Sequence, residues 1–404
     1  MYFNFHIPTK IIFKNDAVED ISNQKLPGIK ALIVTGGTSV KKYGYLDRLT
    51  YELKQNRISY VIYDKITPNP FKSAVQEATE LAKLEKCDFV IGLGGGSVMD
   101  SAKSIALLYK NGGDLWDYVG GGTGKAMPVR NGALPIVTVS TTAATGSEVN
   151  PFAVITKEIT CEKAGLGNEC LYPAISFIDP KLTVSIPGEL TAFHGFDILT
   201  HAAEAYINKN ANPLSDMLAL KSIALVAEYL PKAVENGENL EARRNLSYAN
   251  ILSGFVESLS GCTSEHSLEH ALSAYHQNLP HGAGLAFLAE DYFNYFLNIC
   301  PERIKDLSVA AGYYNSAEGF IEFLNALKKK CFIDNVDYKK YGLNKNMILI
   351  YTKNAIDVMG NLFKNDRKTL DFKDVMKIYN CCFMQGVLIP KNQTGEQIKF
   401  NDIV

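Results

Sequence analysis

Residues 87–110 read CDFVIGLGGGSVMDSAKSIALLYK, and the order of features within them decides the fold. The apolar run CDFVIGLGG (87–95) predicts a strand, and SVMDSAKSIALLYK (97–110) carries apolar residues at helical spacing. Gly92, Gly94, Gly95 and Gly96 join the two. A glycine turn between a strand and a helix start brings backbone N–H groups and the positive end of the helix dipole to one point, which suits a pyrophosphate. Ser97 and Asp100 complete the segment, although the same two residues are also what a simple capping box would use. Counted from Gly92, Ser97 stands where G-x-G-x-x-G needs its third glycine, so the loop departs from the Rossmann fingerprint. The tempting GGGTGK (120–125) is no Walker loop, because Val119 and Ala126 replace its first glycine and its Ser/Thr, which disfavours ATP.

Outward from this unit the same rhythm repeats. KALIVT (30–35), YVIYDKI (60–66) and ALPIVTVS (133–140) predict strands, and FKSAVQEATELAKLEK (71–86) predicts a covering helix. Alternation of this kind indicates βαβ units around a mainly parallel sheet. Beyond about Pro187, LSDMLALKSIALVAEYL (214–230) and RRNLSYANILSGFVESLS (243–260) are helix-like and strand runs become scarce. The expected fold is therefore an α/β domain over 1–183 and an all-helical domain over 184–404, joined near FIDPKLTVSIPG (177–188). A chain of 404 residues exceeds the size at which single cores stop growing, which agrees with two domains.

Composition narrows the function classes. With 47% hydrophobic and 21% charged residues the chain is ordinary globular protein, and a net charge of −2 leaves no electrostatic footprint for nucleic acid. The eight cysteines are scattered without a C-x-x-C pair, as expected in a reducing compartment. MYFNFHIPTKIIF (1–13) lacks the charged and apolar regions of a secretory leader, and no apolar run is long enough for a membrane span, so a cytoplasmic location is expected. The tail QTGEQIKFNDIV (393–404) carries no usable signal.

Six of the seven histidines fall between positions 194 and 281. Asp197 and His201 are four residues apart, as are His266 and His270, so each pair shares one face of a helix and two helices can converge on one centre. His281 follows Pro280 and precedes Gly282, a context for a helix start. Asp197, His201, His266 and His281 together offer one hard oxygen and three borderline nitrogens, a set suited to Fe(II) or, alternatively, Zn(II), and poor for calcium. Spacing leaves His194, three residues before Asp197, open as a replacement ligand, and leaves Glu204 either as an acceptor behind an imidazole or as a solvated helix charge.

GLGGGSVMDSAKSIA (92–106), STTAATGSE (140–148), GFDILTHAAEAY (195–206) and HSLEHALSAYHQNLPHG (266–282), in this order, resemble the iron-containing (group III) alcohol dehydrogenase family, particularly its butanol-dehydrogenase-like branch. The resemblance runs nearly the whole chain. It implies that residues 1–183 form an α/β dinucleotide-binding domain, that a catalytic cleft lies between it and the helical domain, and that Asp197, His201, His266 and His281 have metal-ligand roles. It further implies that His270 faces the substrate or nicotinamide and relays protons. Gly94, Gly95, Gly96, Ser97 and Asp100 fall in its pyrophosphate loop; Thr138, Thr141, Thr142, Asn69 and Lys163 match positions beside the nicotinamide half. Glu269 departs from the pattern, replacing a small residue common between the two histidines. Many NAD-using relatives carry an acidic residue after the strand corresponding to KALIVT, where this chain has Gly36, Gly37, Thr38 and Ser39 followed by Lys41 and Lys42. Small residues and nearby lysines accept a 2′-phosphate that an Asp would repel, so NADP(H) is favoured over NAD(H).

The expected chemistry is hydride transfer between the dinucleotide and a small primary alcohol or aldehyde, with Phe193, Phe196, Leu272, Tyr275 and Phe287 near the histidines suiting an apolar substrate. The expected partners are that substrate and further copies of the chain, as a dimer or higher, with no nucleic acid and no membrane. The alternatives are a glycerol- or lactaldehyde-directed enzyme of the same family, a dehydroquinate-synthase-like lyase, which requires a strongly basic pocket, and a non-catalytic sensor.

Overall fold

The computed structural model describes residues 3–384. Its strands are β1 (Lys10–Phe13), β2 (Lys30–Thr35), β3 (Ser59–Tyr63), β4 (Phe89–Gly94), β5 (Ile136–Ser140), β6 (Phe152–Lys157), β7 (Glu162–Gly167) and β8 (Ile175–Ile178). Helices α1 (Thr38–Lys42), α2 (Tyr45–Gln55), α3 (Lys72–Leu84) and α4 (Gly96–Asn111) alternate with the early strands. From Gly188 onward only helices follow: α5 (Gly188–Ile207), α6 (Pro213–Glu235), α7 (Leu240–Leu259), α8 (Ser264–Tyr275), α9 (His281–Phe296), α10 (Pro301–Ala310), α11 (Glu318–Lys330), α12 (Ile348–Phe363) and α13 (Phe372–Met384), with short 3-10 turns between some of them. No helix among the described residues is long and apolar enough to cross a membrane.

Six strands make one sheet in the order β1-β8-β5-β4-β2-β3, every pair parallel. Parallel strands covered on both faces read as continuous apolar runs, and β4, β5 and β8 are buried along their whole length. One apolar layer, including Ile105, Ala106 and Trp116, covers one side, and another, including Leu49, Leu53 and Phe177, covers the other. The helical region has its own core around Phe193, Phe196, Tyr292 and Phe293.

Strands β1 and β8 and helices α1 and α2 were not predicted individually, and two further differences bear on the site. The third strand stops at Tyr63 instead of running to 66, and just beyond it the Asp64 carbonyl approaches Gly37. The antiparallel pair β6–β7 was not anticipated: its strands meet through a tight turn with Cys161 in the left-handed region (φ 50°).

The sheet order positions the site. The connection from β2 leads outward to β3, whereas that from the adjacent β4 leads the opposite way to β5. The loops after β2 and β4 thus part company at the carboxyl ends of neighbouring strands, where doubly wound sheets open a crevice. Gly36–Ser39 and Gly94–Ser97 are the two lips of that crevice.

Candidate active site

The glycine loop leaves no room for side chains. A Cβ on Gly95 would lie 2.9 Å from the Thr142 hydroxyl, and one on Gly96 would lie 2.5 Å from the Thr145 methyl. Thr141 N–H donates to the Gly94 carbonyl (3.0 Å), so the 141–145 loop after β5 is laced to the start of α4. Ser97 lies in the first turn of α4, two residues after the N-cap Gly95, and the capping-box alternative is not realised, since no side chain caps this helix. Asp100 is buried, and both its oxygens are already engaged, by Ser147 Oγ (2.7 Å) and Val154 N–H (2.9 Å). It anchors α4 to β6. Thr138 differs more sharply from its expected place beside the nicotinamide: it is fully buried within β5, and its hydroxyl is spent on Ser176 of the adjacent β8 (2.7 Å). At the other lip, Gly36 and Ser39 are exposed, Lys41 is already paired with Asp64, and Lys42 lies over the Tyr43 ring, a contact that leaves its charge in place.

The helical region contributes the other wall. α5 is buried along most of its length, and residues 197, 201 and 204 fall on one stripe, so two acids and an imidazole enter the interior together. α8 does the same with His266, Glu269, His270 and Ser273, all buried. His281 is the first residue of α9, as its Pro280 context predicted. Gly282 lets that helix start approach α5, because a Cβ there would come within 2.0 Å of the Phe193 carbonyl.

These helices bring the four predicted ligands together. Asp197 Oδ1 lies 3.3 Å from His201 Nδ1, 3.8 Å from His266 Nε2 and 3.6 Å from His281 Nε2. The His201 and His266 rings stack at 4.2 Å. Asp197 Oδ1, His201 Nδ1 and His266 Nε2 are buried without a hydrogen-bond partner among the described residues. A buried polar atom lacking a partner is costly, and several aimed at one point fit a cation of two or more charges. Burial opposes ionisation of Asp197, yet the neighbouring imidazoles hold its carboxyl well below the usual range, while Glu204 and Asp197 outweigh burial and raise His266. Burial and the other imidazoles pull His201 down to about 3, leaving it neutral, the form in which a histidine ligates.

Carboxylates stand behind the imidazoles. Glu204, fully buried, accepts from His266 Nδ1, while its other oxygen takes Thr263 N–H (3.2 Å), the Thr263 hydroxyl (2.9 Å) and His266 N–H (3.2 Å). That resolves the alternatives for Glu204: it orients an imidazole and is not solvated. Glu269 accepts from His281 Nδ1 and from Lys163 Nζ (3.2 Å). Burial works against its ionisation, but His281 and Lys163 overcome that and hold it below its ordinary value. Glu257 Oε1 lies 3.7 Å from His201 Nε2. Sequence reasoning missed Glu257 entirely, since nothing local links position 257 to His201. Cys262, also missed, has its sulfur within 4.8 Å of ligand atoms of both His201 and His266, and its place four residues before His266 was a usable signal.

His270 faces the same space, its ring 5.4 Å from that of His281 and its Nδ1 without a partner. Burial and the surrounding Lys163 and imidazoles keep it far below the usual histidine range and neutral. His194 does not join the cluster. One turn back along α5, it sits in a separate hollow beside Thr191 and Arg243, where burial lowers it to about 4. His276 is tied to the Tyr351 hydroxyl (2.5 Å).

A cleft of about 450 Å³ connects the two halves, running from Gly96 and Ser97 past Asn69 and Lys163 to His266 and His270. Its apolar wall differs from the one expected. Phe193, Phe196, Leu272 and Phe287 are buried in the helical core, and the apolar lining comes instead from Phe152, Leu166, Met359 and Leu362. Met359 reaches it because α12 is kinked there (φ −122°, ψ 28°).

Residues 8–180 match the family described as iron-containing alcohol dehydrogenase, and residues 191–383 match the C-terminal region of Fe-containing alcohol dehydrogenases. The chain belongs to the iron-containing alcohol dehydrogenase family. As an alcohol dehydrogenase it is an oxidoreductase. Its relatives include the NAD-dependent methanol dehydrogenase of Bacillus methanolicus, 32% identical over 366 residues, which are 88% of this chain and 93% of that one. The 1,3-propanediol dehydrogenase of Klebsiella pneumoniae is 36% identical over 313 residues, 77% of this chain and 79% of the relative. The crystal structure of NADH-dependent butanol dehydrogenase A from Thermotoga maritima superposes with a TM-score of 0.85 at 32% identity, covering 94% of this chain and 98% of that one. The alcohol dehydrogenase fold thus extends over both halves of the cleft.

Proposed function

We propose that this family member is a metal-dependent, NAD(P)-linked alcohol dehydrogenase and aldehyde reductase acting on small primary alcohols and aldehydes, with NADP(H) preferred and Fe(II), alternatively Zn(II), at Asp197, His201, His266 and His281. One observation carries the reading: partnerless buried atoms of Asp197, His201 and His266 converge at one end of a cleft whose other end is a glycine loop on a helix start. When bound, the metal supplies Lewis acidity toward the substrate oxygen, and the nicotinamide accepts or donates the hydride.

The protein's own groups do the rest. Gly95 and Gly96 admit the pyrophosphate to the α4 N-terminus. Asn69 and Lys163 line the nicotinamide half of the cleft, with Thr141 and Thr142 beside the Gly94–Gly95 turn, while Phe152, Leu166, Met359 and Leu362 exclude water around a short apolar substrate. The neutral His270 accepts the alcohol proton, a task for which an imidazole held uncharged is suited. The preference for NADP(H) rests on Gly36 and Ser39, small and exposed at the lip of the crevice, although Lys41 is paired with Asp64 and two of the named relatives, the methanol and butanol dehydrogenases, are NAD- or NADH-dependent. The basic pocket a phosphate-binding lyase requires is missing among the described lining residues, which include one lysine, Lys163, and no arginine.

The test is the initial rate of NADPH and of NADH consumption by anaerobically Fe(II)-reconstituted protein with butanal. A metal-dependent rate, faster with NADPH, is expected. A faster NADH rate overturns the cofactor preference alone, and no turnover with bound metal overturns the substrate class.

A further inference from the structure

Glu269 does something Glu204 does not. It sits on α8, fully buried, and a single oxygen, Oε2, meets groups from both halves of the molecule: His281 Nδ1 at the start of α9 and Lys163 Nζ on β7. Lys163 Nζ also binds Asn69 Oδ1 (2.9 Å) and Ser273 Oγ (2.8 Å). Asn69, held at φ 50°, donates in turn to the carbonyls of Gln277 (3.2 Å) and Leu279 (3.1 Å), in the loop that leads to His281. The fold makes space for this acid, since a Cβ on Gly284 of α9 would lie 2.7 Å from Glu269 Cγ. Among the described residues the Glu204 carboxylate, by contrast, binds only Thr263 and His266, both on the helical side.

The geometry therefore dictates two consequences for one carboxylate. Glu269 Oε2 lies closer to His281 Nδ1 than the Lys163 ammonium does at 3.4 Å, and as an acceptor-only group it keeps the imidazole proton on that nitrogen, leaving Nε2 bare and aimed at the Asp197 cluster. The same oxygen holds the Lys163 ammonium at the nicotinamide end of the cleft. We propose that Glu269 is a positioning residue for two ligands at once, presenting His281 to the metal and Lys163 to the dinucleotide, so that occupancy of one position strengthens the other. This rests on the metal and dinucleotide reading of the cleft. A glutamate that merely pinned the two domains together would affect stability and leave metal affinity and its linkage to nucleotide unchanged.

The experiment measures Co(II) affinity by chelator competition, and NADPH affinity by fluorescence with and without Co(II), on the full chain and on E269Q, E269A and H281A. Removing such an outer acceptor is expected to weaken Co(II) roughly 10- to 100-fold in E269A, with E269Q falling between. Co(II) is expected to tighten NADPH at least about fivefold in the parent, and this linkage is expected to vanish in E269A. Because E269A leaves Lys163 buried without its counter-charge, the double variant E269A/K163M, which strands neither charge, is measured alongside and must show the same loss of Co(II) affinity. Co(II) affinity within about threefold of the parent in E269A or in the double variant, while H281A loses the metal, overturns the role of Glu269 and leaves the metal reading standing. Absence of Co(II)–NADPH linkage in the parent overturns the coupling. Equal Co(II) binding by parent and H281A overturns the metal reading and this inference together.

Discussion

At the scale of single residues, His270 and Gly36 carry the sharpest consequences. His270 is buried, neutral and near the candidate ligands without being backed by a carboxylate, so its substitution separates proton handling from metal binding. His270→Asn is expected to lower kcat by about 10²- to 10⁴-fold while the metal content is retained, and kcat within about threefold of the parent removes His270 from the mechanism. Gly36 offers a different test. A Cβ there would meet the Ile66 carbonyl at 3.1 Å, a contact that a slight shift accommodates, whereas Gly37 sits at φ 86°, where any side chain is strained. Gly36→Asp is therefore the substitution of choice: a carboxylate at the crevice lip repels a 2′-phosphate, and the ratio of kcat/KM with NADPH to that with NADH is expected to fall at least about tenfold. An unchanged ratio means that the 2′ position lies elsewhere.

At the scale of elements, the N-terminus of α8 governs His266. Asp366, outside that helix, accepts from Ser264 N–H (3.1 Å) and the Tyr292 hydroxyl (3.2 Å), and burial lifts its carboxyl from an ordinary 3.8 to about 7. The unfolded chain releases this proton near 3.8 and the folded chain holds it until about 7, so the stabilising contribution is full below 3.8 and is lost as pH rises through 7. Asp366→Asn keeps an acceptor for Ser264 without the titration. Thermal midpoints of the metal-free proteins are therefore expected to shift in favour of the variant between about pH 4 and 8; a difference that is constant with pH excludes the effect. The elements themselves were legible because each rests on local patterning: β2 spans the predicted 30–35, and α4 covers the predicted 97–110 with one residue added at each end. β6 and β7 escaped notice because their short alternation carries a glycine in the ladder at Gly165 and needs Cys161 at positive φ, which composition does not announce.

At the scale of the molecule, the metal position is assembled from α5, α8 and α9, so any ion bound there is linked to folding of the helical half. Chelation is expected to lower the unfolding midpoint; a site filled at 100 times its Kd contributes about 2.7 kcal/mol. A midpoint indifferent to chelator and to added Fe(II) or Zn(II) argues that no structural ion is held. The cleft itself depends on α12, whose Met359 sulfur accepts Gly165 N–H of β7 (3.3 Å) and whose Asn354 donates to the Cys161 carbonyl (2.9 Å), locking the helical half against the β6–β7 pair.

What the amino-acid sequence determined alone was everything with a short period: strand, glycine turn and helix in order, Asp197 with His201 and His266 with His270 on shared faces, and a helix start at His281. Tertiary structure alone decided which of these faces meet. His194 matches the helical spacing as well as His201 does yet lies one turn away in another hollow, and Thr138 matches a cofactor position yet is sealed within the sheet. In sequence Glu204 is left with two readings, Glu269 is only a departure from a family pattern and Glu257 goes unremarked; packing places each beside a different imidazole, and joins Glu269 to Lys163, 106 positions away. Helical and strand periodicity record only what a residue's near neighbours do, whereas the site is made where elements distant in the chain are forced together by the burial of their apolar faces.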